Sequence, residues 1–125
     1  MGKKKIIQKC LGEWTYRLGL RWWEITVTWY KKPKAIRRYF GYKKYETVIA
    51  RTFADWRYGT ASIHVNLSAF EGMTDKKIEA VVIHELCHVL VNELQSGGID
   101  HEERVVTGLQ KAFVWTRDLP ALDGE

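Results

Sequence analysis

Thr74-Asp75-Lys76-Lys77-Ile78-Glu79-Ala80-Val81-Val82-Ile83-His84-Glu85-Leu86-Cys87-His88-Val89-Leu90 is the stretch that decides how this chain of 125 residues is read. Thr74 has the side chain of a helix N-cap, and Asp75 carries the charge that suits the positive end of a helix dipole. Behind them the apolar residues run almost all round the helix. Ile83, Leu86, Leu90 and Leu94 share one flank, and Ile78, Val82 and Val89 share another. A helix apolar on most sides is buried at the centre of its fold. Ser96-Gly97-Gly98 is its expected stop. Two histidines and a glutamate on such a helix need partners, because burying polar groups unpaired is costly.

His84 and His88 are four residues apart, so on a helix both imidazoles point the same way and can reach one metal ion. Glu85 lies about 100° round the helix, beside such an ion and not on it. That is where a general base sits to take a proton from an activated water. With four histidines in the chain, chance alone supplies about 0.01 matches to this pattern. The spacing points to Zn²⁺ as cofactor and to zinc-assisted hydrolysis, most often of a peptide bond, with Glu85 as the catalytic residue.

Two histidines leave a catalytic zinc site incomplete, since such sites use three protein ligands and keep one position open. The next helix, expected from Asp100 to about Arg117, offers His101, Glu102 and Glu103. With Glu102 at 0°, Val105, Val106, Leu109 and Phe113 fall at about 300°, 40°, 340° and 20°. Glu102 is therefore at the centre of the apolar stripe and is the first choice for third ligand. His101 is the second choice and Glu103 the third, each about 100° off that centre. Cys87 is expected to pack in the helix rather than to act as ligand or nucleophile.

Outward from this helix the pattern changes. From Arg21 to Tyr30, Trp23, Ile25, Val27 and Trp29 alternate with Glu24, Thr26 and Thr28, which predicts a strand with one buried face. Glu46 to Asp55 suits a second strand, Trp56-Arg57-Tyr58-Gly59 a turn, and Ala61 to Leu67 a third strand. Lys3 to about Arg17 suits an N-terminal helix interrupted by Gly12. The expected fold is α+β: a small, mostly antiparallel sheet packed on the histidine-bearing helix, with a second ligand-bearing helix behind it.

The length fits a single domain over residues 1–125. No apolar run approaches membrane-spanning length, and Lys3-Lys4-Lys5 is followed by no apolar leader region, so a cytoplasmic protein without membrane association is expected. Two cysteines are too few for a disulfide framework. Residues 1–51 hold 14 Lys/Arg against 3 acids, a net of +11; residues 52–125 hold 6 against 12, a net of −6. A basic half can attract nucleic acid. A solvated surface balancing an acidic helical half is the simpler reading, with a nucleic-acid-associated zinc protein as the alternative.

A small sheet, a helix bearing His84-Glu85-x-x-His88 and a second helix supplying a glutamate resemble the zincin metallopeptidases. The chain is similar to the gluzincin group, whose third ligand is a glutamate, and in size to its minimal single-domain members and to the small metallopeptidases of phage genomes. That resemblance implies a zinc peptidase with His84, His88 and Glu102 on the metal and a peptide or protein substrate. It further implies that the strand before the active-site helix, Ala61 to Leu67, lines the cleft. His64 or Tyr58 would then serve the developing oxyanion, and the tail from Leu119 to Glu125 could cover the cleft. The SprT-like proteases are the second relative; there the third ligand is a histidine, which would be His101.

Overall fold

The computed structural model describes residues 2–32, 48–92 and 102–119. Helix α1 (Lys3–Arg17) buries Ile7 and Trp14, seven residues apart on one face. It runs unbroken through Gly12, where an interruption was expected. A mid-helix glycine costs about 1 kcal/mol relative to alanine. The fully buried Ile7 alone repays that, since burying such a side chain is worth about 1.5–3 kcal/mol. The helix closes on Gly19, whose φ of 70° is left-handed. Gly19 N–H donates to Tyr16 O and Leu20 N–H to Thr15 O, the paired bonds of a Schellman motif. Leu20, 2% exposed, tucks under the helix it ends.

Three strands follow: β1 (Glu24–Tyr30), β2 (Ala50–Asp55) and β3 (Thr60–Asn66). Their order is β1-β3-β2. β1 pairs with β3 in parallel, Val27 opposite Ile63, while β2 pairs with β3 antiparallel, Thr52 opposite Ile63. The sheet is therefore mixed, which corrects the mostly antiparallel meander. Among the described residues only the short turn at Trp56–Gly59 makes a hairpin, and β1 pairs in parallel with β3 and not with β2. Gly59 is required in that turn: its φ is 63°, and a Cβ there would lie 3.1 Å from the Trp22 ring.

The register gives each face one character. Ile25, Val27 and Trp29 line up with Ala61, Ile63 and Val65 and then with Ala54, Thr52 and Ala50. The opposite face carries Thr28, His64, Arg51 and Phe53. Central β3 is buried along nearly its whole length, whereas β1 and β2 alternate.

A turn of 3₁₀ helix (Leu67–Phe70) leads through Gly72 to helix α2 (Asp75–Leu90). The Thr74 hydroxyl accepts from Lys77 N–H, so the predicted cap is in place. Ile78, Val82, Ile83, Leu86, Cys87 and Val89 are buried, as expected of a central helix, but Leu90, expected on a buried flank, is 41% exposed, and the helix ends there, before the expected Ser96 stop. α2 packs against α1, against β2 and against helix α3 (Glu102–Arg117). Glu79 joins the three helices: it accepts from the Trp14 indole N–H and faces Arg117, which also pairs with Glu13. On α3 only Val106 is fully buried, with Leu109 and Phe113 partly so; Val105, expected in the stripe, is exposed. Residues 33–47, the Ser96-Gly97-Gly98 stop, Asp100, His101 and the tail beyond Leu119 lie outside the described residues. Lys4, Lys5 and Lys9 of the basic half are exposed on α1.

Candidate metal centre

α2 projects His84 and His88 toward the start of α3, their rings 5.0 Å apart and inclined by 73°. Glu103 Oε1 lies 2.6 Å from His88 Nε2 and 3.4 Å from His84 Nε2. Among the described residues, these three side chains form the group whose donor atoms converge, all within 4.8 Å of one another. Tetrahedral coordination with bonds of about 2.0–2.1 Å needs donors roughly 3.4 Å apart. Two imidazole nitrogens and a carboxylate fit such an ion in chemistry; the 3.4 Å pair already has that spacing, and the 2.6 Å pair is a hydrogen bond that an ion would open.

Glu102 is also at the site, with Oε1 3.6 Å from His88 Nδ1, on the far side of that ring from Glu103. The structure thus brings both glutamates to the histidine pair. Their settings differ: the Glu102 side chain is 18% exposed and that of Glu103 is 67% exposed. The low exposure of Glu102 follows from its place in the apolar stripe. The contact with both Nε2 atoms, however, belongs to Glu103. Helical phase carried a second signal for this: Gln110, seven residues on from Glu103, falls within about 20° of it. Gln110 Oε1 stands 2.6 Å from His84 Nδ1. A polar residue two turns along on that side marks the Glu103 face as one that meets polar partners.

Glu85 is 8% exposed. Its Oε1 accepts a hydrogen bond from the Thr52 hydroxyl at 2.7 Å. Thr52 can reach it because it sits on the helix-facing side of β2, between Ala50 and Ala54, whose short side chains leave room. Glu85, His84, His88, Glu102 and Glu103 share one cleft of about 780 Å³, counted out to its open mouth, with Ala50, Arg51, Thr52 and Ala54 as its opposite wall. That wall is β2, not the Ala61–Leu67 segment expected there. β3 is flanked by strands on both sides, so its backbone is already paired. β2 has a neighbour on one side only among the described residues.

His64 and Tyr58 are not among the residues lining this cleft. Tyr58 is 76% exposed on the β2–β3 turn. His64 lies on the other face of the sheet, sharing a 2.9 Å hydrogen bond with the Tyr30 hydroxyl. Burial pushes its imidazole below the ordinary histidine range. Cys87 is fully buried, and burial pushes its thiol up to about 11. A thiol so protonated is a packing group, as expected, because metal binding and attack both require thiolate.

A histidine pair on a buried helix, a carboxylate closing on both rings and a further carboxylate in the same cleft make a group that could hold a metal ion. The family model described as "Putative phage metallopeptidase" matches residues 6–114, and the chain belongs to that family. Membership implies a metal ion and a peptide or protein substrate. No curated protein and no solved structure matches the chain. Among the described residues, no helix is long and apolar enough to cross a membrane.

Proposed function

We propose that the chain is a zinc-dependent peptidase in which His84 and His88 hold the ion through Nε2 and Glu85 is the general base. The observation that carries this is the convergence of His84, His88 and Glu103 in the cleft that also holds the Glu85 carboxylate. Nitrogen and oxygen donors in a three-residue set suit zinc and leave a position open. The third ligand comes from the first turn of α3. Glu102 is the choice of helical phase; the contact of Glu103 Oε1 with both Nε2 atoms supports Glu103 instead, with Glu102 backing His88 at Nδ1. Either glutamate gives the gluzincin arrangement. The SprT-like one would use His101, which is outside the described residues.

A bound zinc would supply Lewis acidity to a scissile carbonyl and to water. The remaining work falls to side chains of this chain. Glu85 takes the proton from the attacking water and passes it to the leaving amine. Thr52 keeps one Glu85 oxygen hydrogen-bonded and directed toward the wall of the cleft. The side of β2 that has no neighbour among the described residues would offer backbone groups to an extended peptide, in the manner of strand addition.

Glu85→Gln tests this reading. It removes the base and keeps the shape, so bound zinc should stay at the wild-type level while peptide hydrolysis falls by about 10²–10⁴-fold. Zinc content and cleavage of a peptide library, measured on the same preparations, check it. Undiminished hydrolysis by Glu85→Gln would exclude Glu85 as the base.

A further inference from the structure

Gln110 has no part in the chemistry proposed above, yet its Oε1 lies 2.6 Å from Nδ1 of His84, as close as Glu103 Oε1 comes to His88 Nε2. An amide oxygen can only accept, so Nδ1 must carry the hydrogen. In the neutral ring the lone pair is then on Nε2, the atom that Glu103 approaches at 3.4 Å. Glu103 and Gln110 are about 20° apart in helical phase. One face of α3 therefore meets His84 at both of its ring nitrogens.

The second ring is treated differently. Opposite His88 Nδ1 stands Glu102 Oε1, at 3.6 Å. That is beyond hydrogen-bond reach. His84 is thus held at Nδ1, by Gln110, whereas His88 is met at Nε2, by Glu103 at 2.6 Å; of the two rings His84 is the one gripped at the nitrogen that leaves Nε2 free for an ion.

We propose that Gln110 is a positioning residue for the metal centre: it fixes His84 with Nε2 presented to the ion and thereby sets metal affinity. The proposal rests on the metal reading of the preceding subsection. Without the acceptor, the hydrogen can move to Nε2 and the ring can turn about its χ2 bond, and both changes withdraw the lone pair from the site. Outer partners of this kind are worth about 10–100-fold in metal affinity. Because Gln110 and Glu103 are carried by the same helix, zinc binding and the docking of α3 on α2 should be coupled.

The test is zinc affinity of the full chain, by competition with a chromophoric chelator, for wild type, Gln110→Leu, Gln110→Glu and His84→Ala, with melting curves with and without zinc. Gln110→Leu should bind zinc about 10–100-fold more weakly and gain less melting temperature from it. Gln110→Glu keeps an oxygen acceptor in place and should bind at or above the wild-type level. His84→Ala should lose more affinity than Gln110→Leu. If Gln110→Leu binds like wild type while His84→Ala does not, the positioning role is wrong and the metal centre stands. If wild type and His84→Ala bind zinc alike, the metal centre itself is wrong and the role of Gln110 falls with it. Should Gln110→Leu fail to fold, Gln110→Asn, polar but one methylene short, takes its place: the same loss is expected, and unchanged affinity would overturn the proposal.

Discussion

His84 and His88 lie on one side of the sheet and His64 on the other, and their surroundings differ in kind. His64 is 7% exposed, bonded to the Tyr30 hydroxyl and stacked edge-on against Phe53. The pair on α2 is more open to the cleft, faces two carboxylates, and has one ring held by an amide oxygen. An imidazole enclosed by a phenol and an aromatic edge is kept neutral and packs the sheet. Imidazoles that converge with carboxylates beside open space can take up an ion from the solvent. A histidine thus takes its role from the company its ring nitrogens keep, more than from burial.

The largest effect should separate the two settings directly. His88→Ala leaves two ligands where a catalytic site needs three. Zinc affinity should fall by more than the roughly 10–100-fold of an outer partner, and hydrolysis should fall to background. His64→Gln should leave zinc content and hydrolysis near wild type. Metal analysis and peptide cleavage on both variants check this; loss of zinc in His64→Gln would erase the distinction.

A smaller effect concerns pH and stability. Burial holds His64 below its ordinary pKa of about 6.5. The unfolded chain therefore binds a proton at His64 that the folded chain resists. The stability due to neutral His64 is complete above about pH 6.5 and is lost as pH falls from there through the folded pKa. Wild type should lose more melting temperature than His64→Gln between about pH 7 and about pH 5. Equal losses would mean that His64 titrates alike in both states.

The same contrast marks what the sequence makes legible. Most of α2 is legible because cap, stripe and histidine spacing are local signals: Thr74 caps it, and Ile78, Val82, Ile83, Leu86 and Val89 bury as their spacing requires, whereas Leu90 is exposed and the helix ends there, short of Ser96. β1 is legible from its alternation. The pairing of β1 with β3 is not, because parallel neighbours are brought together by a long connection and by burial of both faces of β3, for which single strands carry no mark. The cleft wall was expected at Ala61 to Leu67 from the zincin resemblance, whereas β2 lines it, since β3 is the central strand. Glu102 and Glu103 differ by about 100° of phase, which the apolar stripe resolves in favour of the more buried residue, while the two Nε2 atoms are nearer the more exposed one. Gln110 and Thr52 went unread because neither belongs to a motif; each matters only through the side chain opposite it, Gln110 through His84 and Thr52 through Glu85.

Anomalous diffraction at the zinc edge, from crystals of the chain grown with zinc, tests the central claim most directly. A single strong peak is predicted about 2 Å from Nε2 of both His84 and His88, with a Glu103 oxygen on the ion and Glu102 turned to His88 Nδ1. A peak bonded to Glu102 in place of Glu103 would restore the choice of helical phase. A peak away from the histidine pair, or none, would contradict the account of α2 as the bearer of a metallopeptidase centre.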